Sequence, residues 1–197
     1  NALSIAREVG NRYQEMYTLI NLGAVTGVQK EADLSLRYAN QARELSIKVG
    51  DRAGEAWSHF YIGHAHLLKN DFQKARDAFS ASILLRAESN QMNLVMEAQA
   101  GLVETALREG DLSEAAMRAE IILAHLASNG TLDGTEEPLR IYLALVQALK
   151  ELKDPRASSI LQTAKQLLDG QVSLLKDELS RRMYVQNVPW RKAIQEE

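Results

Sequence analysis

Residues 55–82, EAWSHFYIGHAHLLKNDFQKARDAFSAS, decide how this chain is read. The polar tripeptide Lys69-Asn70-Asp71 divides them into two helical patterns and reads as a tight turn. Small residues (Gly63, Ala75 and Ser82) stand where one helix must lie close against another. The same arrangement recurs forty residues earlier and forty residues later.

Several independent columns keep that step. Gly10, Gly50, Asn90 and Gly130 each follow a candidate helix, and glycine or asparagine suits the left-handed position past a helix C-terminus. Polar residues come next (Asn11, Asp51, Gln91 and Thr131), fitted to a turn or to starting the following helix. Leu22, Ile62 and Leu102 hold the period, as do Ser35, Ala75 and Ala115, then Ala39, Phe79 and Ala119, then Ala42, Ser82 and Ile122. Periodicity of this kind predicts an all-α solenoid of helical hairpins.

Each unit is expected to hold a helix A, a turn and a helix B. The A helices are expected over 12–27, 52–68 and 92–109, and the B helices over 31–49, 72–89 and 112–129. Asp71 and Asp111 can cap the B helices that follow them. The whole chain, 1–197, is expected to be a single solenoid domain with units at 11–50, 51–90 and 91–130. Residues 1–10 read as an orphan helix of a truncated repeat, and 131–170 as a degenerate unit after the long connection LASNGTLDGTEEP (126–138). In that unit a helix is expected over 139–151, with Pro155 at the first position of the next, where its missing N–H does no harm. Residues 171–197 read as two capping helices broken at Pro189.

Composition excludes several classes of function. A net charge of −3 gives neither a basic nucleic-acid surface nor a polybasic stripe for anionic lipid. With no cysteine, disulfides and thiolate chemistry are ruled out. No apolar run approaches a membrane span, and NALSIAREVGNR carries charge within an amphipathic pattern rather than forming a signal peptide. A reducing, cytoplasmic setting fits best. The chain opens inside a helix without an initiator methionine, as expected of a piece of a longer protein. The bare apolar face of that helix offers a route to a homodimer.

Candidate chemistry is sparse. His59, His64 and His66 cluster in sequence, but at helical spacing His64 points away from the face shared by His59 and His66, and zinc needs three or four convergent ligands. The chain has no G-x-x-x-x-G-K-[S/T] phosphate loop and no H-E-x-x-H pair. DGTEEP (133–138) lacks the alternating ligand spacing of a calcium loop, and Glu136 and Glu137 there suit the start of the next helix through its dipole. No catalytic residue, cofactor or metal is expected.

The residues resemble the tetratricopeptide repeat. The helix-A motif stands as Leu19, Leu22, Gly23 and Thr26 in the first unit, as His59, Ile62, Gly63 and His66 in the second, and as Gln99, Leu102, Val103 and Ala106 in the third. The helix-B motif stands as Ser35, Ala39 and Ala42, as Ala75, Phe79 and Ser82, and as Ala115, Ala119 and Ile122. The tail (EGDLSEA, EIILAHL, DGTEEPLRIYL, DPRASSILQTAKQLL and RRMYVQNVPWRKAI) resembles the C-terminal repeat region of large bacterial signalling proteins. In those, the repeats follow an ATPase module, often beside a cyclase or a transcriptional DNA-binding domain.

The resemblance implies a right-handed α-α superhelix that binds a protein or peptide segment in a groove lined by the A helices. The parent protein's own ATPase domain is one candidate partner, and a small signalling peptide bound by a self-contained receptor is the alternative. The groove columns hold Tyr17, Ile20 and Ala24, then Trp57, Phe60 and His64 with Tyr61 beside them, then Glu97, Ala100 and Glu104. Tyr17, Ile20, Trp57, Phe60, Tyr61, His64, Glu97 and Glu104 are the candidate binding residues. Aromatic anchors within polar rims are what interface hot spots use, while a tight superhelical pitch would bury the same rings in the array. Ile20, Ala24, Phe60 and His64 stand where chaperone-binding members carry a carboxylate clamp, so that clamp is absent.

Overall fold

The computed structural model describes residues 2–128 and 130–197, and Asn1 and Asn129 of the expected units fall outside them. Eleven helices occupy the described residues. They are α1 (Ala2–Glu8), α2 (Arg12–Val28), α3 (Ala32–Val49), α4 (Arg52–Leu68), α5 (Phe72–Glu88), α6 (Met92–Glu109), α7 (Leu112–Ala127), α8 (Pro138–Glu151), α9 (Ala157–Ser173), α10 (Glu178–Gln186) and α11 (Pro189–Glu196). No strand occurs among the described residues.

The helices stop where the sequence period predicts, and by one repeated device. The backbone N–H groups of Asn11, Glu31, Asp51, Asp71, Gln91 and Asp111 each donate to the carbonyl five residues back (Ala6, Thr26, Ser46, His66, Arg86 and Ala106). These are Schellman closures, and each requires a left-handed residue before the donor. Gly10, Lys30, Gly50, Asn70, Asn90 and Gly110 fill those positions, with φ between 54° and 82°. The turn within each hairpin thus repeats the geometry of the link between hairpins. Asn11, Asp51 and Asp111 then cap the next helix by accepting from Gln14, Gly54 and Glu114 N–H. Asp71 does not cap; its carboxylate takes Lys74 Nζ at 2.7 Å instead.

Helix order sorts the elements into two layers. The A layer runs α2, α4, α6, α8 and α11, each touching the next, while α3, α5, α7 and α9 lie behind it. Short side chains let the layers approach: Ser35 Oγ donates to Gly23 O at 2.8 Å, and Ser82 Oγ to Ala56 O at 2.9 Å. The largest fully buried side chain, Phe79 of α5, lies against both Gly63 of α4 and Gly101 of α6. A Cβ at either glycine would come within 2.6 Å of that ring, so glycine is required at both.

The last third departs from the expected pattern. Pro155 does not begin α9; it lies in the turn before it, because Asp154 Oδ1 accepts from Arg156 N–H at 2.8 Å and holds the chain in a turn until Ala157. Proline instead takes the first position of α8 (Pro138) and of α11 (Pro189). α9 continues through Gly170 to Ser173. α11 then packs on α8 and α9, with Ile194 sealed beside Leu139, Ala164 and Leu168.

Candidate functional site

A cavity of about 530 Å³ lies on the A-layer face, lined by the C-terminal half of α2, by α4, α6 and α8, and by α11. Its apolar lining includes Val25, Val28, Leu67, Leu68, Ala100, Ile141, Leu143 and Ala144. Pro189, Trp190 and Ala193 of α11 complete it. The size and the few convergent polar groups are those of ligand-binding clefts.

Five of the eight candidate residues line this cavity: Phe60, Tyr61, His64, Glu97 and Glu104. The first four are buried, between 5% and 8% exposed, and Glu104 is half-buried. The other three lie elsewhere. Ile20, expected on the groove, is a core residue at 2% exposure, because α4 packs directly over α2. Tyr17 is exposed at the start of the array, where its hydroxyl donates to Asp51 Oδ2 at 3.1 Å. Trp57 is half-buried, stacked with Tyr61 and lying 4.4 Å from the Arg86 guanidinium.

The polar centre of the cavity is Arg140, in the first turn of α8. Its Nη2 donates to His64 Nδ1 at 2.8 Å and to Glu104 Oε2 at 3.0 Å, and its guanidinium lies 4.9 Å from the Trp190 ring. Because a guanidinium can only donate, Nδ1 of His64 is an acceptor and the imidazole proton sits on Nε2. The His64 ring is edge-on to Phe60 and Phe79, at 4.5 and 4.8 Å. Burial, and then the charge of Arg140, hold its pKa well below the ordinary value, so it stays neutral.

One rim of the cavity is acidic. Glu137 Oε2 accepts from Trp190 Nε1 at 2.9 Å and its Oε1 from Arg191 Nη2 at 2.6 Å. Glu136 accepts from the Tyr61 hydroxyl, whose pKa burial and that carboxylate raise well above its ordinary value. Glu97 is 5% exposed and accepts from the backbone N–H groups of Glu136 and Glu137. Its pKa is raised to about 7, chiefly by burial, against the lowering effect of those two donors.

Sequence reading missed Arg140 and Trp190. Yet the forty-residue step was a usable signal for Arg140: it continues Ile20, Phe60 and Ala100, just as Glu137 continues Tyr17, Trp57 and Glu97. Trp190 carries no such signal, since α11 has lost the register. The three clustered histidines do not converge. His64 faces Arg140, His66 lies 3.6 Å from Asp71 and His59 lies near Arg43 and Glu55. Among the described residues no group of three or more His, Asp or Glu could hold a metal ion, and no helix is long and apolar enough to cross a membrane.

Helical hairpins stacked in two layers, with a cleft on the A-layer face, define a helical-repeat solenoid. The tetratricopeptide repeat family model matches residues 14–86, the span from α2 to α5. Repeats of this family mediate protein–protein interaction. No curated protein matches the chain.

Proposed function

We propose that the chain is a non-catalytic interaction scaffold that takes an apolar segment of another polypeptide into the A-layer cavity, as part of a larger bacterial signalling or transcriptional regulator. The observation that carries this reading is the cavity itself, with apolar walls from five helices and polar groups already bound to one another. Glu104 is held by Arg140, Glu137 by Trp190 and Arg191, and His64 by Arg140. Such groups fix the shape of a surface and leave its apolar walls to gain from burial. The tail sequences quoted above support the placement in a larger regulator.

Val25 provides the test, because it lines the cavity while remaining 54% exposed, so a charge there spares the core. A peptide array, with purified ATPase and output domains of the parent protein beside it, should yield a segment bound by the wild-type chain. Val25→Asp should weaken that binding about tenfold or more with unchanged thermal unfolding. An array and domain set that bind nothing, or a segment bound equally by both proteins, sinks the reading.

A further inference from the structure

From α1 to α7 the helices are joined by links of two or three residues, but the link from α7 to α8 spans 128–137. Its second half folds back onto α6. Asn93 Nδ2 donates to Asp133 O, and Gly134, at φ +80°, lies against Asn93 and Leu94. The segment ends at α8, whose cap residue Glu137 makes no side-chain cap bond and whose first residue, Pro138, has no N–H to offer. The acceptor comes from another helix: Glu97 Oε1 of α6 takes Glu136 N–H at 2.7 Å and Glu137 N–H at 3.4 Å. The segment is thereby strapped over α6 by a buried carboxyl group, and Glu136 and Glu137 form part of the cavity wall.

We propose that Glu97 is a proton-operated latch, holding the 130–137 strap shut over the cavity rim when protonated and releasing it when ionised. The charged and titratable groups around it come from α4, α5, α8 and the strap itself. Arg86 of α5 attracts the ionised form, but its Nη1 is already given to Gln91 Oε1 and its Nη2 is buried without a partner. Tyr61 of α4 is occupied by Glu136. Glu136 repels the ionised form, and Arg140 of α8 is turned to His64 and Glu104. Burial outweighs the two backbone donors, so the closed arrangement keeps its proton up to about pH 7, whereas the carboxyl swung into water returns to its ordinary value of 4.5. The arrangement with the higher pKa binds the proton more tightly. Closure is therefore fully favoured below about pH 4.5 and loses that advantage as pH rises through 7. The gap between those values corresponds to at most about a 300-fold change in the closed-to-open ratio.

The latch is a property of the free chain, and only its effect on partner binding rests on the cavity reading. Amide hydrogen exchange of the full chain, resolved by residue from about pH 5.5 to about pH 8.5, tests it. Corrected for intrinsic exchange, protection at the Glu136 and Glu137 amides should fall about tenfold or more with rising pH, while α4 and α5 stay constant. Glu97→Gln keeps the carbonyl acceptor but cannot ionise, so its protection should be flat with pH. Glu136→Gln removes the like charge and should move the midpoint to lower pH. Protection at these amides that is constant or rising with pH in the wild type overturns the latch. So does an equal fall in Glu97→Gln, and should that variant not fold, a midpoint unmoved by Glu136→Gln overturns it too.

Discussion

Between α4 and α6 the spacing is set by a phenyl ring in a slot of two glycines, whereas α8 and α11 are joined by a carboxylate, Glu137, bound to Trp190 and Arg191. The first device is steric and depends on residue size at fixed intervals. The second is polar and depends on three side chains meeting across the cavity. Size at fixed intervals is what a repeat pattern records, and the family match over residues 14–86 lies within the part of the molecule built that way. Where polar ties are added to small-residue contacts such as those of Ala144, Ala148 and Ala164, the helices still stack but the pattern fades. Divergence of a repeat thus marks a change in how neighbours are held, without a change of architecture.

Three substitutions would sharpen or break this contrast. The largest effect belongs to Phe79→Ala, which empties the slot between Gly63 and Gly101. It should destabilise the whole array by about 4 kcal/mol in urea unfolding. A loss below about 1 kcal/mol would mean that the ring is not what spaces the A layer. Glu137→Ala should cost about 2 kcal/mol, because Arg191, whose side chain is only 14% exposed, is left without its carboxylate. That loss should be local, read as faster amide exchange in α10 and α11 with α2 to α5 unchanged; a uniform loss along the chain would erase the distinction. The smallest effect is a gain. Lys153 sits at φ 55°, and Lys153→Gly should raise stability by up to about 1 kcal/mol, measured as a small increase in Tm. No gain there would show that the turn before α9 is held by Asp154 alone.

Helix positions were legible in the sequence because their punctuation is local. A glycine or asparagine at 10, 50, 70 and 90 announces a left-handed residue, and the fold needs nothing further to end a helix there. Lys30 and Lys153 do the same work without announcing it, since a lysine in that conformation leaves no mark in composition. Pro155 misled because proline suits both a first helical turn and a β-turn, and the Asp154 side chain decided between them. At the cavity, Phe60, His64, Glu97 and Glu104 stand on A-helix columns, with Tyr61 beside them. The columns alone could not tell that Ile20 would be covered by α4 while the equivalent Arg140 would stand in the cavity. That difference is made by what packs on each unit, and the first and fourth units have different neighbours.

Among the described residues the closures that end the helices, from Asn11 to Ala6 through Asp154 to Leu149, each join residues five positions apart. Segments of this kind can form their turns in any order and early, since little chain entropy is lost in closing so short a loop. The ties across the cavity are of another kind: Tyr61 to Glu136 spans 75 residues and His64 to Arg140 spans 76. Contacts so distant wait until the intervening hairpins exist to bring their ends together. The groove is thus the last part of the molecule to be finished, assembled only after the scaffold that presents it.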